Sequence, residues 1–420
     1  MRDMKDTGVA WIGAIPSKWP LVRFKDKYAN TKEIAKERSV EFERLALTLN
    51  GVIKRPKDDS EGLQPKEFDG YQILRENDFV FKMIDLQNVS TSRVGLSTYT
   101  GLVSPAYIRF SPKKPNQYNQ FVYYYLMSLY YNCVYNNLGG NGVRSALNAK
   151  DMGEFLVPYP DEAEQRRICA FLDKKCIQVD TLIANVHAQI EKLKDYKQSA
   201  ITEVVTKGLD PSVPMKDSGV EWIGEIPAHW EIKRGKVLFG ESDARSTDGS
   251  EELLTVSQYT GITPRSQKNV NMFEALTLEG YKLCDVGDIA ANTMWLWAGA
   301  IGVSAYSGVI SPSYNVYRQK AENFVPSYLD CLLRAPMLVQ EYASRSTGIR
   351  ASRLRLYPKD FLDIMFPVPP VDEQQDIMSV LSEKFAAVDK LIAIKKFKIE
   401  KLEQYKKSLI YEYVTGKKEA

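Results

Sequence analysis

Four arginines and no acid lie between Ser344 and Tyr357: Arg345, Arg350, Arg353 and Arg355, with Ser352 among them. Guanidiniums this close repel one another unless an anion compensates, and phosphate, which matches their planar fork, is the natural anion. Gly142-Val143-Arg144-Ser145 is an earlier counterpart of Gly348-Ile349-Arg350-Ala351, with Asn148 just beyond it but no further arginine. Two other polar groups fall between predicted strands. They are Gln87, Asn88 and Arg93 in the first half of the chain, and Asn292, Thr293, Trp295 and Trp297 in the second. Amides, hydroxyls and guanidiniums are the groups that pair with base edges in a groove. The same residues could instead cap turns, with the tryptophans in a core. Lys54 with Arg55, and Arg265 with Lys268, suit phosphate contacts and surface charge equally. Trp11, Trp19, Trp222 and Trp230 read as packing.

Other chemistry is poorly served. Five cysteines without a C-x-x-C pair, and two histidines, argue against a zinc site, so reduced thiols and no metal are expected. A nuclease-like pattern can be traced through Pro160, Asp161, Asp173 and Lys175, but Asp161 reads as a helix cap and the last two sit inside a helix, where a metal-binding strand would be needed. Gly140-Asn141-Gly142 lacks the remaining glycine of a phosphate loop. The net charge of +3 divides as +5 over residues 1–160, zero over 161–207, −3 over 208–370 and +1 over 371–420, which does not identify a partner. No apolar run approaches the roughly 20 residues that span a bilayer, and the N-terminus is charged where a signal peptide is apolar, so a cytoplasmic chain is expected.

The elements that must position these residues occur twice. KDTGVAWIGAIPSKW at residues 5–19 and KDSGVEWIGEIPAHW at 216–230 share ten of fifteen residues at an offset of 211. Glu164 to Thr206 aligns without a gap on Glu373 to Thr415 at an offset of 209. The repeating unit is thus a domain with a long helix attached. Apolar residues of the first helix recur at helical spacing at Ile168, Leu172, Val179, Leu182, Val186, Ile190, Leu193 and Ala200. The second has Ile377, Leu381, Val388, Leu391, Ile399, Leu402 and Leu409. Asp161 and Asp372 suit N-caps, and Gly208 and Gly416 suit C-terminal caps. About 45 residues make a rod of roughly 65 Å. The linker Gly208 to Met215 reaches at most ~28 Å, so the second domain must start near the far end of the first helix. If the second helix buries its stripe on the first, it runs back antiparallel.

The expected fold is therefore α+β: two homologous mixed α/β domains separated by an antiparallel, coiled-coil-like pair of long helices, with an internal pseudo-two-fold. The boundaries are 1–160, helix 161–207, linker 208–215, 216–370 and helix 371–416. Within the domains, strands are predicted at Asp78–Phe81, Gly95–Tyr99 and Tyr107–Phe110, then a helix over Gln120–Tyr135. Gly287–Ala290 and Gly302–Tyr306 echo these pieces in the second half, and Ser311–Tyr314 (SPSY) matches Ser104–Tyr107 (SPAY). Between the shared pieces the halves diverge, which suggests one way of docking and two different things read.

The repeated W-I-G-x-I-P-x-x-W, the Pro-x-Pro junctions (Pro158 and Pro160; Pro367 and Pro369), the Glu-Gln after each (Glu164-Gln165; Glu373-Gln374) and helices closing on Val-Thr (Val205-Thr206; Val414-Thr415) together resemble the DNA-specificity subunit of type I restriction-modification systems. The resemblance covers essentially the whole chain. It implies two target-recognition domains, each reading one part of a split DNA sequence, and helices that act as a ruler and dock two methyltransferase subunits. It further implies that S-adenosylmethionine belongs to those partners, that restriction subunits join the full complex, and that this chain catalyses nothing and holds no cofactor. An adenine methyltransferase would need an Asn/Asp-Pro-Pro-aromatic motif, and Pro369-Pro370 stands between Val368 and Val371. A helical adaptor bridging two proteins without touching DNA is the other reading, and it leaves the arginine run unexplained.

Overall fold

The structure is a computed structural model of the chain and describes residues 2–49, 51–59, 65, 67–86, 88, 91, 93–138, 146–268, 277–348 and 354–420. The chain divides into two compact units: Met1–Val186 with Phe397–Ala420, and His187–Lys396. Each is mixed α/β.

The first unit holds two four-stranded sheets. One has the order Gly51–Arg55, Arg44–Thr48, Gly101–Val103, Gln72–Leu74; the other Tyr28–Asn30, Ile108–Pro112, Phe79–Phe81, Val94–Leu96. The strand Phe79–Phe81 shows why they pack. Alternation sends Phe79 and Phe81 into the main core, with Phe24, Tyr28 and Phe110, while Val80 enters a second cluster with Leu45, Leu47 and Val52. The second unit repeats the second of these sheets as Phe239–Ser242, Asn315–Gln319, Ile289–Ala291, Ile301–Val303. The helix expected over Gln120–Tyr135 is broken. Gln120–Tyr131 and Val134–Leu138 flank Cys133, whose φ of 54° cannot continue a helix.

The long helices span Glu162–Lys207 and Val371–Val414. Asp161 caps the first, its Oδ1 accepting from the Glu164 N–H at 2.9 Å. Asp372 is no cap, because the second helix already starts at Val371. In the first unit Phe171 stacks on Tyr413 at 4.4 Å and Lys406 pairs with Asp180 at 2.7 Å. In the second, Lys197 pairs with Asp389 at 2.7 Å and Lys395 donates to Gln189 at 2.6 Å. Within each unit partner numbers fall on one helix as they rise on the other, so the paired segments are antiparallel. Lys197–Asp389 is Asp180–Lys406 displaced by 209 residues, so both units make the same ion pair. Such half-exposed pairs contribute little stability and serve mainly to fix register.

The seam differs from expectation at two equivalent positions. Ile168, Leu172, Val179, Val186, Ile190, Ile377, Leu381, Val388 and Ile399 are buried, and Leu193 and Leu402 half-buried. Leu182 and Leu391 are each 47 % exposed and point outward. The inward steps run Leu172, Cys176, Val179, Ile183, Val186, Ile190, alternating four and three residues. Ile183, and its counterpart Ile392, therefore take the place expected for the leucines, which lie about 100° further round the helix.

Each helix ends against a module of its own unit. Gly208 (φ 74°) faces Trp230 and Glu373, and Gly416 (φ 69°) faces Pro16 and Trp19. A Cβ at Gly416 would collide with Pro16 and stand 3.0 Å from the Trp19 ring, whereas at Gly208 the nearest atom is Glu373 Oε1 at 2.7 Å, the end of a side chain that can turn away. Gly416→Ala should therefore cost roughly 1–3 kcal/mol, and Gly208→Ala less. Thermal unfolding of the two variants tests this, and equal losses would contradict it.

Candidate nucleic-acid interface

Both modules share a framework down to single hydrogen bonds. Trp19 Nε1 donates to Glu164 at 2.8 Å and Trp230 Nε1 to Glu373 at 2.9 Å. Arg109 reaches Asp78 at 2.6 Å and Arg318 reaches Asp288 at 2.7 Å. Ser97 Oγ donates to the Tyr99 carbonyl, and Ser304 Oγ to that of Tyr306. With scaffolding this alike, the two modules differ chiefly in the loops it carries.

In each unit a hairpin projects from this scaffold. The first joins Phe79–Phe81 to Val94–Leu96, the second Ile289–Ala291 to Ile301–Val303. Arg93 does not offer its guanidinium to a groove. It is 1 % exposed, and Nη1 and Nη2 donate to the carbonyls of Lys82, Ile84, Asp85 and Asn88, so it props the loop from within. Desolvation lowers its pKa from the ordinary value, as expected for a buried cation. Asn88 is exposed on the same loop. Asn148 is exposed too, but its side-chain oxygen is engaged, accepting from Lys150 N and Asp151 N as the cap of a one-turn helix.

The second hairpin is built differently. Asn292 is buried: its Nδ2 donates to the Tyr314 hydroxyl at 3.0 Å and its Oδ1 accepts from Met294 N, so it anchors the loop instead of reading with it. Thr293 Oγ1 donates to the Ser313 carbonyl at 2.8 Å. The tryptophans are not core. Trp295 is 49 % exposed and stacks on Trp297, centroids 5.7 Å apart, while Trp297 Nε1 donates to the Met294 carbonyl.

Of the arginine run, Arg345 ends the helix Pro336–Arg345 in a 2.5 Å pair with Glu341, one turn back, so its charge is locally balanced. Arg355 is exposed, its backbone bridged to Thr347. Gln87, Arg144, Ser145, Arg350, Ser352 and Arg353 lie outside the described residues. Lys54 pairs with Glu43 and Arg55 with Asp59. The Lys268 amine is held below its ordinary value by burial and by the nearby charge of Arg265.

One pair of positions escaped the sequence. Leu49 (61 % exposed) and Tyr259 (82 %) crown the hairpins Arg44–Thr48/Gly51–Arg55 and Leu254–Ser257/Gly261–Pro264. Both turns end on a positive-φ glycine, Gly51 and Gly261, and this shared glycine behind unlike tip residues was the available signal. The Tyr259 tip is fixed by Arg334 Nη2, which donates to its carbonyl at 2.8 Å. Among the described residues no group of three or more His, Cys, Asp or Glu is placed to hold a metal, and no helix is long and apolar enough to cross a membrane.

Residues 24–193 match the type I restriction modification DNA specificity domain. A Methanocaldococcus jannaschii protein assigned as the specificity subunit of type I restriction enzyme MjaX is 25% identical over 291 residues, 65% of this chain and 62% of that relative, so the chain spans somewhat under two thirds of its length. The type I restriction enzyme MjaVIII specificity subunit of the same organism is 24% identical over 426 residues, 96% of this chain and 93% of its own. A solved structure from a study of assembly and conformational transition of the type I R-M system aligns with TM-score 0.64 at 14% identity, over 95% of this chain and 98% of that one, a likeness of fold.

Proposed function

We propose that this chain, which belongs to the DNA specificity subunits of type I restriction-modification systems, reads a split duplex target, one part with each module, and is not itself an enzyme. The observation that carries this reading is the pairing of one repeated scaffold with unlike hairpins. A braced polar loop stands in one half, and an exposed tryptophan loop in the equivalent place of the other. The modules correspond to residues 1–160 and 216–370, joined through the helices 161–207 and 371–416 and the linker 208–215, and the antiparallel helices set the unread spacer between the half-sites. Arg355, Asn88, Thr293, Trp295 and the arginines of 344–357 are the proposed contacts.

Two methyltransferase subunits dock along the helices and bring S-adenosylmethionine, and restriction subunits join through them, all in the cytoplasm. Support for two equal docks comes from Leu182 and Leu391, both 47 % exposed, and from Tyr196 and Tyr405, at 50 and 51 %, each pair separated by 209 residues. Repeated outward apolar side chains suit partner helices. The test of DNA reading is a titration with random duplex, with and without methyltransferase, across salt concentrations. A reader's affinity should fall with a log–log slope of about −0.9 per phosphate contact. Absence of any salt-sensitive binding in both arms would favour a protein adaptor.

A further inference from the structure

The second module's hairpin presents an aromatic pair that the fold holds rigid yet leaves uncovered. Trp295 is 49 % exposed and Met294 41 %, in a chain whose scaffold tryptophans are buried (Trp19, Trp230) or half-buried (Trp11, Trp222). Nothing about the loop is slack. Trp295 N–H donates to the Asn292 carbonyl, and the Trp295 carbonyl accepts from both Ala298 and Ala300. Trp297 Nε1 is tied to Met294, Thr293 to Ser313 and Asn292 to Tyr314. Gly299 turns the chain at φ 86° and lies against Val339 of the helix Pro336–Arg345, which leads into the arginine run. That helix ends at Arg345, and past it the backbone of Thr347 is bridged to that of the exposed Arg355. The first module's hairpin, Lys82 to Arg93, contains no aromatic residue at all.

A rigid, uncovered indole is suited to a partner that offers a flat, stackable face. Stacking on a base needs only a π-face, and apolar side chains inserted at a base step unstack and kink the duplex, most cheaply at flexible pyrimidine–purine steps. Because the loop is already ordered, little conformational entropy is lost on contact.

We propose that Trp295, backed by Trp297, wedges into a base step of the half-site read by the second module, so that this half-site is recognised partly by deformability while the first is not. The inference rests on the DNA-reading function proposed above. The test uses the full chain with its methyltransferase and a duplex bearing the sequence methylated in the host, with 2-aminopurine substituted singly along each half. Beyond the adenines that the methyltransferase extrudes, fluorescence should rise several-fold at one step of the second half-site only, and Trp295→Ala, at protein concentrations that saturate the duplex, should abolish that rise. Trp295→Phe should keep part of it, which separates lost stacking from a damaged loop. An unaltered rise in Trp295→Ala, or no rise beyond the extruded adenines in a complex that does form, would overturn the wedge. If wild-type protein bound no duplex under any salt condition, the DNA-reading function itself would fall, a result distinct from either.

Discussion

Arg109→Ala should lower the unfolding midpoint of the first unit by about 10 °C, while Arg318→Ala, its counterpart, should cost clearly less. The two arginines bind equivalent buried aspartates, Arg109 to Asp78 through Nε and Arg318 to Asp288 through Nε and Nη2, each aspartate side chain being 3 % exposed. Their own exposures differ: 4 % for Arg109 and 55 % for Arg318. Removing a fully buried partner strands a carboxylate without water, a loss of about 3–5 kcal/mol, and at the usual size scaling that is several degrees or more. Water can replace the exposed guanidinium of Arg318. Arg109 also reaches Glu33. Burial alone would raise the Glu33 carboxyl, but Arg75 and Arg109 outweigh it and hold it below its ordinary value. A depressed carboxyl contributes stability above its unfolded-state pKa, here near 4.5, and loses it as the pH falls through the folded value. The wild type should therefore lose stability more steeply on acidification than Arg109→Ala. Differential scanning at neutral and acid pH measures both effects, and equal shifts for the two arginine variants would contradict the burial argument.

Inserting one heptad into both long helices, between Val186 and Ile190 and between the equivalent Lys395 and Ile399, should lengthen the unread spacer of the DNA target by about three base pairs. Seven residues add about 10 Å of helix, and the duplex rises 3.4 Å per pair. A whole heptad keeps the alternation of four and three residues, so Leu172, Val179, Val186 and Ile190 stay inward. Inserting three or five residues instead should rotate the seam and abolish methylation. An unaltered spacer in the heptad variant would mean that the helices are not the ruler.

The repeat was legible because duplication exposes whole elements, and the long helices because 44 and 46 residues without proline admit little else. Less legible was which way a given side chain turns. Leu182 and Ile183 are adjacent and both apolar, and only the partner helix decides that Ile183 faces inward and Leu182 out. Arg93 looked like a reader because arginine usually lies at the surface. What hid it was a ring of main-chain carbonyls from its own loop, which no residue type announces. Asn292 and Asn148 are ambiguous in the same way, since an amide can anchor a turn or meet a base, and both side chains make local hydrogen bonds that no residue type announces. Leu49 and Tyr259 were overlooked because a tip residue stands out only once its hairpin is seen.

The most direct measurement is the methylome of a host in which residues 1–160 are exchanged for the first half of a related specificity chain. One part of the methylated sequence should change, with the other part and the spacing between them retained. A change in both parts, or in neither, would contradict two independent readers on one shared scaffold.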